Sequence, residues 1–326
     1  MVKNTKVLVT GAAGFIGSHL SKRLEDEGHH LILIDDFSRG KQKYLDWLGV
    51  KTKCRNLDLR DPLNQIMFEG VDVVYHCASR IGGNQFLHST KEQALLSLQH
   101  NLQIDGNVFV ACRRFGIKKV IYTSSISIYN TAKQNTFKDA TFVESDSYKD
   151  PVDPEGGYGW SKYIGEWQLN HMDTKAGIVR IFKSYGPCDD YSEKSGQVVC
   201  SLMRKAINYP RERFVLWGDG TVTRCLVYID DLVDALLKVE KYLDKESITV
   251  NIGGNKPYNI RYLAVQIAKL SGKNISIEND MSKPVGVKSR IPWLELAKEK
   301  LNWEPTTPLE DGLKKTWEWM KEDMNE

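Results

Sequence analysis

Lys6–Leu20 reads KVLVTGAAGFIGSHL. A short apolar, β-branched run ends at Thr10, three glycines follow at positions 11, 14 and 17, and an amphipathic pattern begins immediately after. β-Branched residues favour a strand, and apolar positions recurring every three to four residues favour a helix. The glycines therefore occupy the turn between a strand and a helix. A tight turn needs a residue without a Cβ, and a helix start with free N–H groups attracts an anion. Gly11, Gly14 and Gly17, with Phe15 and Ile16 between them, read as a cradle for the pyrophosphate of a dinucleotide.

Working outward, HLILID is the next strand pattern and ends in Asp35 and Asp36, followed by Ser38. A carboxylate at that distance, about 20 residues beyond the glycines, accepts the ribose hydroxyls of an adenosine and repels a 2′-phosphate. NAD is therefore favoured over NADP, with Arg39 as the residue that keeps NADP open. Asp58 and Leu59 follow a third strand pattern and either frame the adenine or lie in a solvated loop. VDVVYHCAS, a helical stretch near 92–115 and KKVIYTSS continue the alternation. Strands alternating with helices predict an α/β fold, a Rossmann-type doubly wound parallel sheet that binds its ligand at the carboxyl ends of the strands. Residues 1–177 are expected to form the NAD-binding domain. Residues 178–326 are expected to form a smaller C-terminal α/β substrate domain, with part of 226–252 packing back on the first.

The chain has 326 residues, 41% of them hydrophobic, and a net charge of +3. That charge is too small and scattered for a nucleic-acid binder, and no apolar run is long enough to cross a bilayer. Six cysteines form no C-x-x-C pair, which argues against zinc and disulfides and suits the cytoplasm.

Two further stretches carry chemistry. VIYTSSISIY, 120–129, turns from an apolar strand into hydroxyls, and GGYGWSK places Tyr158 and Lys162 at i and i+4 on one helix face. A phenol titrates near pH 10, roughly, so it serves as a base only beside a cation such as Lys162. Ser125 at the strand end is positioned to hold both the phenol and a substrate oxygen, while Ser124 supports the strand end through local hydrogen bonds.

With these motifs the sequence resembles the extended short-chain dehydrogenase/reductase family, the nucleotide-sugar epimerases and dehydratases. The resemblance covers nearly the whole chain, through YHCAS, TSSISIY, YGWSK, VRIFKSYGP, WGDGTVTRCLVYIDD and KLNWEP. Within the family SRIGGNQF, RKA and the stretch from GVKSR to LAKEKLNWEPTTPLEDGL are most similar to the GDP-mannose 3,5-epimerases. The resemblance implies transient oxidation of the sugar at C4, with Tyr158 taking the hydroxyl proton and Ser125 and Lys162 completing the triad. It assigns Ala78, Ser79, Arg80 and Asn101 to the cofactor site. It assigns Gly82, Gly83, Lys183, Gln197, Arg224 and Arg290 to a nucleotide-diphosphate sugar, a GDP-sugar if that branch is followed, and it implies a homodimer built on helices near 92–115 and 157–171. Structural ion pairs are the competing reading of Lys183, Arg224 and Arg290. Phe214 and Trp217 read as core or as neighbours of the nucleotide base.

The 3,5-epimerases place a proton-transferring cysteine where this chain has Ser127, which is the fourth catalytic candidate here, and a lysine where ungapped counting puts Gln197, with Lys194 three residues away. A hydroxyl is a far weaker acid than a thiol and an amide does not titrate. Inversion at C4 is therefore the expected outcome, with 3,5-epimerisation and net C4 oxidoreduction as alternatives and a non-catalytic dinucleotide-binding protein as the answer of a different class.

Overall fold

The computed structural model describes residues 5–82, 90–136, 141–149, 151–283 and 285–325. Seven strands form the central sheet: β1 Lys6–Thr10, β2 His30–Asp35, β3 Cys54–Asn56, β4 Val73–His76, β5 Lys119–Ser125, β6 Lys175–Ile181 and β7 Ile248–Ile252. Their order is β7-β6-β5-β4-β1-β2-β3, and every pairing is parallel. The order reverses between β4 and β1, which opens a crevice at the carboxyl ends of those two strands.

The alternation of side chains along β1 explains why its run is apolar throughout. Val7 and Val9 enter a cluster with Leu20 and Leu24 of helix α1 (Phe15–Asp26) and Leu45 of α2 (Gln42–Leu48). Leu8 enters the opposite cluster with Val108 and Phe109 of α3 (Lys91–Arg114) and Leu169 of α4 (Gly156–Asn170). A strand covered on both faces has no polar side to offer.

The second half contributes α5 (Val198–Asn208), α6 (Ile229–Tyr242), α7 (Ile260–Ser271), α8 (Glu295–Leu301) and α9 (Leu309–Asn325). Between α6 and α7 the chain returns to the sheet, where β7 pairs with β6 from Ile248↔Gly177 to Ile252↔Ile181. The Trp303 indole N–H donates to the Asp231 carbonyl oxygen at 2.9 Å and ties the C-terminal segment to α6. Phe214 is fully buried in the core, and Trp217 is half-buried beneath the Lys283 ammonium and lies off the main crevice.

One buried ion pair fixes the elements that matter for the crevice. Arg180 of β6 donates to Glu166 of α4, with one contact at 2.6 Å, and also to the Tyr129 and Ser147 hydroxyls. Removing one partner of such a pair strands a charge and costs about 3–5 kcal/mol. Among the described residues no helix is long and apolar enough to cross a membrane, and no His/Cys/Asp/Glu group is suited to a metal.

Candidate active site

A cleft of about 640 Å³ opens at the strand ends, lined on one side by the glycine turn and on the other by residues of 181–197 and Arg290. Gly11 has φ +67°, and a Cβ there would meet the backbone nitrogen of Ala78 at 2.7 Å. A Cβ on Gly17 would collide with Gly11 itself, so α1 can start this close to β1 only with glycine. The cradle walls include Gly14, Phe15 and Ile16.

The two aspartates of β2 divide their work. Asp35 is buried and accepts from the Ala13 N–H at 3.0 Å and the Phe37 N–H at 2.8 Å, locking the glycine turn to the strand end; burial raises its carboxyl above the ordinary value. Asp36 is exposed on the cleft wall and is oriented by the Ser38 N–H and hydroxyl, at 2.9 and 2.6 Å. Arg39 pairs with Asp190 at 2.7 Å across the cleft. Asp58 and Leu59 also line it, and three donors of Arg60 hold the Asp58 carboxyl below its usual range.

Ala78, Ser79 and Arg80 line the cleft, whereas Asn101 stands behind them. The Asn101 carbonyl oxygen accepts from the Arg80 N–H at 2.7 Å, and its amide donates to Ser161 at 3.2 Å. It shapes the wall through backbone it holds, because its side chain is spent on those bonds. Gly82 lines the cleft and Gly83 lies outside the described residues.

Each hydroxyl at the end of β5 has its own partner. Thr123 donates to the His76 carbonyl oxygen at 3.0 Å. Ser124 donates to Glu166 of α4, so its bond is tertiary and not local. The Ser125 oxygen accepts from the Ser127 N–H at 3.1 Å. Burial raises the Tyr158 phenol above its ordinary value, and the neighbouring Ser125 acts in the opposite direction. Lys162, one turn along α4, is 1% exposed, and burial lowers its ammonium below the ordinary range.

On the opposite wall of the cleft the tertiary structure adds partners that lie far apart in the chain. Ser127 donates to Glu155 at 3.1 Å, and Arg290 donates to the same carboxylate oxygen and to Gln134 at 2.7 Å. The Lys183 ammonium contacts the Gln197 side-chain oxygen inside the cleft, so Lys183 is not a surface ion pair. Lys194 is exposed and lies off the lining. Arg224 is also off the lining: it donates to the carbonyl oxygens of Thr223 at 2.6 Å and Val287 at 3.1 Å. Its charge still reaches Lys183, whose value falls through burial and through Arg224 and Arg290, against the pull of Asp189. Glu155 was not legible as a site residue; its only sequence signal is a carboxylate three positions before Tyr158.

With this geometry the comparisons with known proteins agree. Residues 7–253 match the NAD dependent epimerase/dehydratase family. The chain belongs to that family. It is 32% identical over 325 residues to GDP-mannose 3,5-epimerase of Arabidopsis thaliana, covering 98% of this chain and 83% of the relative. It is 31% identical over 328 residues to dTDP-4-dehydro-6-deoxy-D-allose reductase of a Streptomyces species, covering 97% and 96%. A crystal structure of UDP-glucuronic acid 4-epimerase from Bacillus cereus, in complex with UDP-glucuronic acid and NAD, superposes with a TM-score of 0.84 at 26% identity, over 98% of this chain and 99% of that one.

The cofactor of this epimerase/dehydratase family member is NAD. Gly11, Gly14 and Gly17 and the exposed Asp36 line one wall of the cleft, residue types that would hold the pyrophosphate and the adenosine ribose of NAD. Among the described residues the buried Lys162 ammonium has no hydrogen-bond partner, which fits a lysine waiting for ribose hydroxyls.

Proposed function

We propose that the protein is a nucleotide-sugar epimerase that transiently oxidises C4 of the sugar to a ketone and inverts that carbon. The observation that carries this reading is the meeting of Ser125, Tyr158 and Lys162 beside the glycine cradle in one cleft. When bound, NAD supplies a reversible two-electron acceptor. Tyr158 takes the proton of the C4 hydroxyl while Ser125 holds the same oxygen. Burial keeps the free phenol protonated, so Lys162 and the cofactor's positive charge are what make it a base. For inversion the ketone turns over in the cleft and Tyr158 returns its proton to the oxygen from the other face. Lys183 and Arg290 hold the diphosphate, with Arg224 behind them.

The nucleotide is a nucleoside diphosphate; the Arabidopsis relative supports GDP. Two copies pair through α3 and α4, a reading supported by Leu95, Val110, Trp160 and Trp167, large apolar side chains left exposed on those helices. A cytoplasmic location suits the six unpaired cysteines.

A second reading, inversion at the carbons flanking the ketone, is supported by Glu155 on Ser127 and Lys183 on Gln197, which return a carboxylate and an ammonium to the sugar side. Incubating the NAD-bound protein with a panel of nucleotide sugars in D2O separates these readings. A C4 epimer without deuterium is expected. Deuterium at C3 or C5 establishes the second reading, and NAD binding without turnover of any sugar removes both.

A further inference from the structure

We propose that Asp105 is the buried counter-charge that keeps Lys162 in its ammonium form and, through Tyr122, holds it in place; this rests on the Tyr158–Lys162 reading above. Asp105 lies on α3, 1% exposed, away from the cleft lining. One of its oxygens accepts from the Tyr122 hydroxyl at 2.6 Å, and the other meets His76 Nε2 at 3.0 Å. The Lys162 ammonium sits 4.3 Å from the centroid of the Tyr122 ring. His76 is in turn 2.7 Å from the Thr10 hydroxyl, whose oxygen accepts from the Ala78 N–H at 3.2 Å. The chain of contacts thus runs from beneath Lys162, through β5, α3, β4 and β1, to the backbone of the cofactor wall.

A carboxylate in such a place needs a cation. Tyr122 is a neutral donor, and burial lowers the His76 value, so with Nδ1 facing the Thr10 hydroxyl the neutral ring donates from Nε2. Two neutral donors satisfy hydrogen bonding but leave the charge uncompensated, and an amide would fill the same role without that cost. The ionisable groups whose charge would favour the Lys162 ammonium are Asp105, Cys77 and Glu166. Cys77 is held protonated by burial, its value pushed up to about 12, and Glu166 is committed to Arg180. Asp105 is the carboxylate that remains for Lys162. The cation above the ring and the anion at its hydroxyl polarise Tyr122 in the same sense, which strengthens the cation–π contact. The backbone leaves room for this arrangement at Gly165, where a Cβ would lie 2.8 Å from an Asp105 oxygen and collide with the Tyr122 hydroxyl.

The test reads Lys162 directly. Protein carrying 13Cε-labelled lysine, with NAD bound, is titrated by NMR, and the Lys162 signal is identified by its loss in Lys162→Arg. Asp105→Asn keeps the shape and an acceptor for Tyr122 while removing the charge. It should lower the Lys162 value by on the order of one pH unit, a tenfold change in acid constant. Tyr122→Phe keeps the ring, breaks the link to Asp105, and should move Lys162 in the same direction by less; it carries the test if Asp105→Asn does not fold. A Lys162 titration unmoved in these variants, even alongside lost thermal stability, overturns the proposal. The titration needs no turnover, so this result stands apart from any failure of Tyr158 as the base.

Discussion

Ser127 and Glu155, 28 residues apart, are joined twice: the Glu155 N–H donates to the Ser127 carbonyl oxygen at 2.7 Å, and the Ser127 hydroxyl donates to the Glu155 carboxylate at 3.1 Å. The same carboxylate holds Arg290, so it links the end of β5 to the opposite wall of the cleft. Glu155→Gln keeps an acceptor for Ser127 and loses the ion pair. The expected outcome is a KM for the nucleotide sugar raised about tenfold with kcat nearly unchanged, the pattern of lost ground-state binding. A kcat lower by about 100-fold or more, with deuterium exchange lost, assigns Glu155 to proton transfer instead.

Tyr158→Phe removes the hydroxyl proposed as the base and leaves the ring packed. Turnover should fall by about 10³-fold while NAD stays bound, measured by steady-state kinetics and by cofactor content after gel filtration. Activity within tenfold of the wild type takes Tyr158 out of its role.

The aspartates of β2 should separate in experiment. Asp36→Ala should weaken NAD binding about tenfold, narrow the preference over NADP, and leave folding stability within about 0.5 kcal/mol. Asp35→Ala strands two backbone donors and should cost about 2–3 kcal/mol in urea unfolding. Equal losses of stability in the two variants contradict this division.

Lys183 titrates below its ordinary value of 10.5 because it is buried. Between its depressed value and 10.5 the unfolded chain binds the proton that the folded protein has released, so folding stability gains as pH rises through that window. Asp189 is shifted the other way, upward from 3.8 to about 7 by burial, so its own effect falls between those values and below the Lys183 window. Lys183→Met should flatten the alkaline rise of the urea midpoint. An unchanged alkaline slope overturns the prediction.

The exposed apolar side chains on α3 and α4 predict a dimer by light scattering. Trp160→Glu combined with Leu95→Glu should give monomers that still bind NAD, since neither residue lines the cleft. A monomeric wild type refutes the pairing.

Much of this molecule was legible from spacing alone. Gly11, Gly14 and Gly17 between a strand and a helix, Asp36 at the next strand end, and Tyr158 with Lys162 one turn apart are arrangements within single elements or adjacent ones. Backbone geometry imposes them wherever the segment folds, so the α/β class and the NAD site follow from local periods. The opposite wall of the cleft does not. Glu155 beside Ser127, Lys183 against Gln197, and Asp105 bonded to the Tyr122 that lies against Lys162 are meetings between segments whose separation and register are set by the packed sheet. Ser127 read in isolation is a weak hydroxyl where relatives carry a thiol; in the fold it is bonded to a carboxylate that arrives from the loop before α4. The parallel sheet makes that difference, because its order brings the ends of β5 and β6, the start of α4 and the distant Arg290 to one edge, and a side chain's chemistry is decided by what that edge places within hydrogen-bond reach.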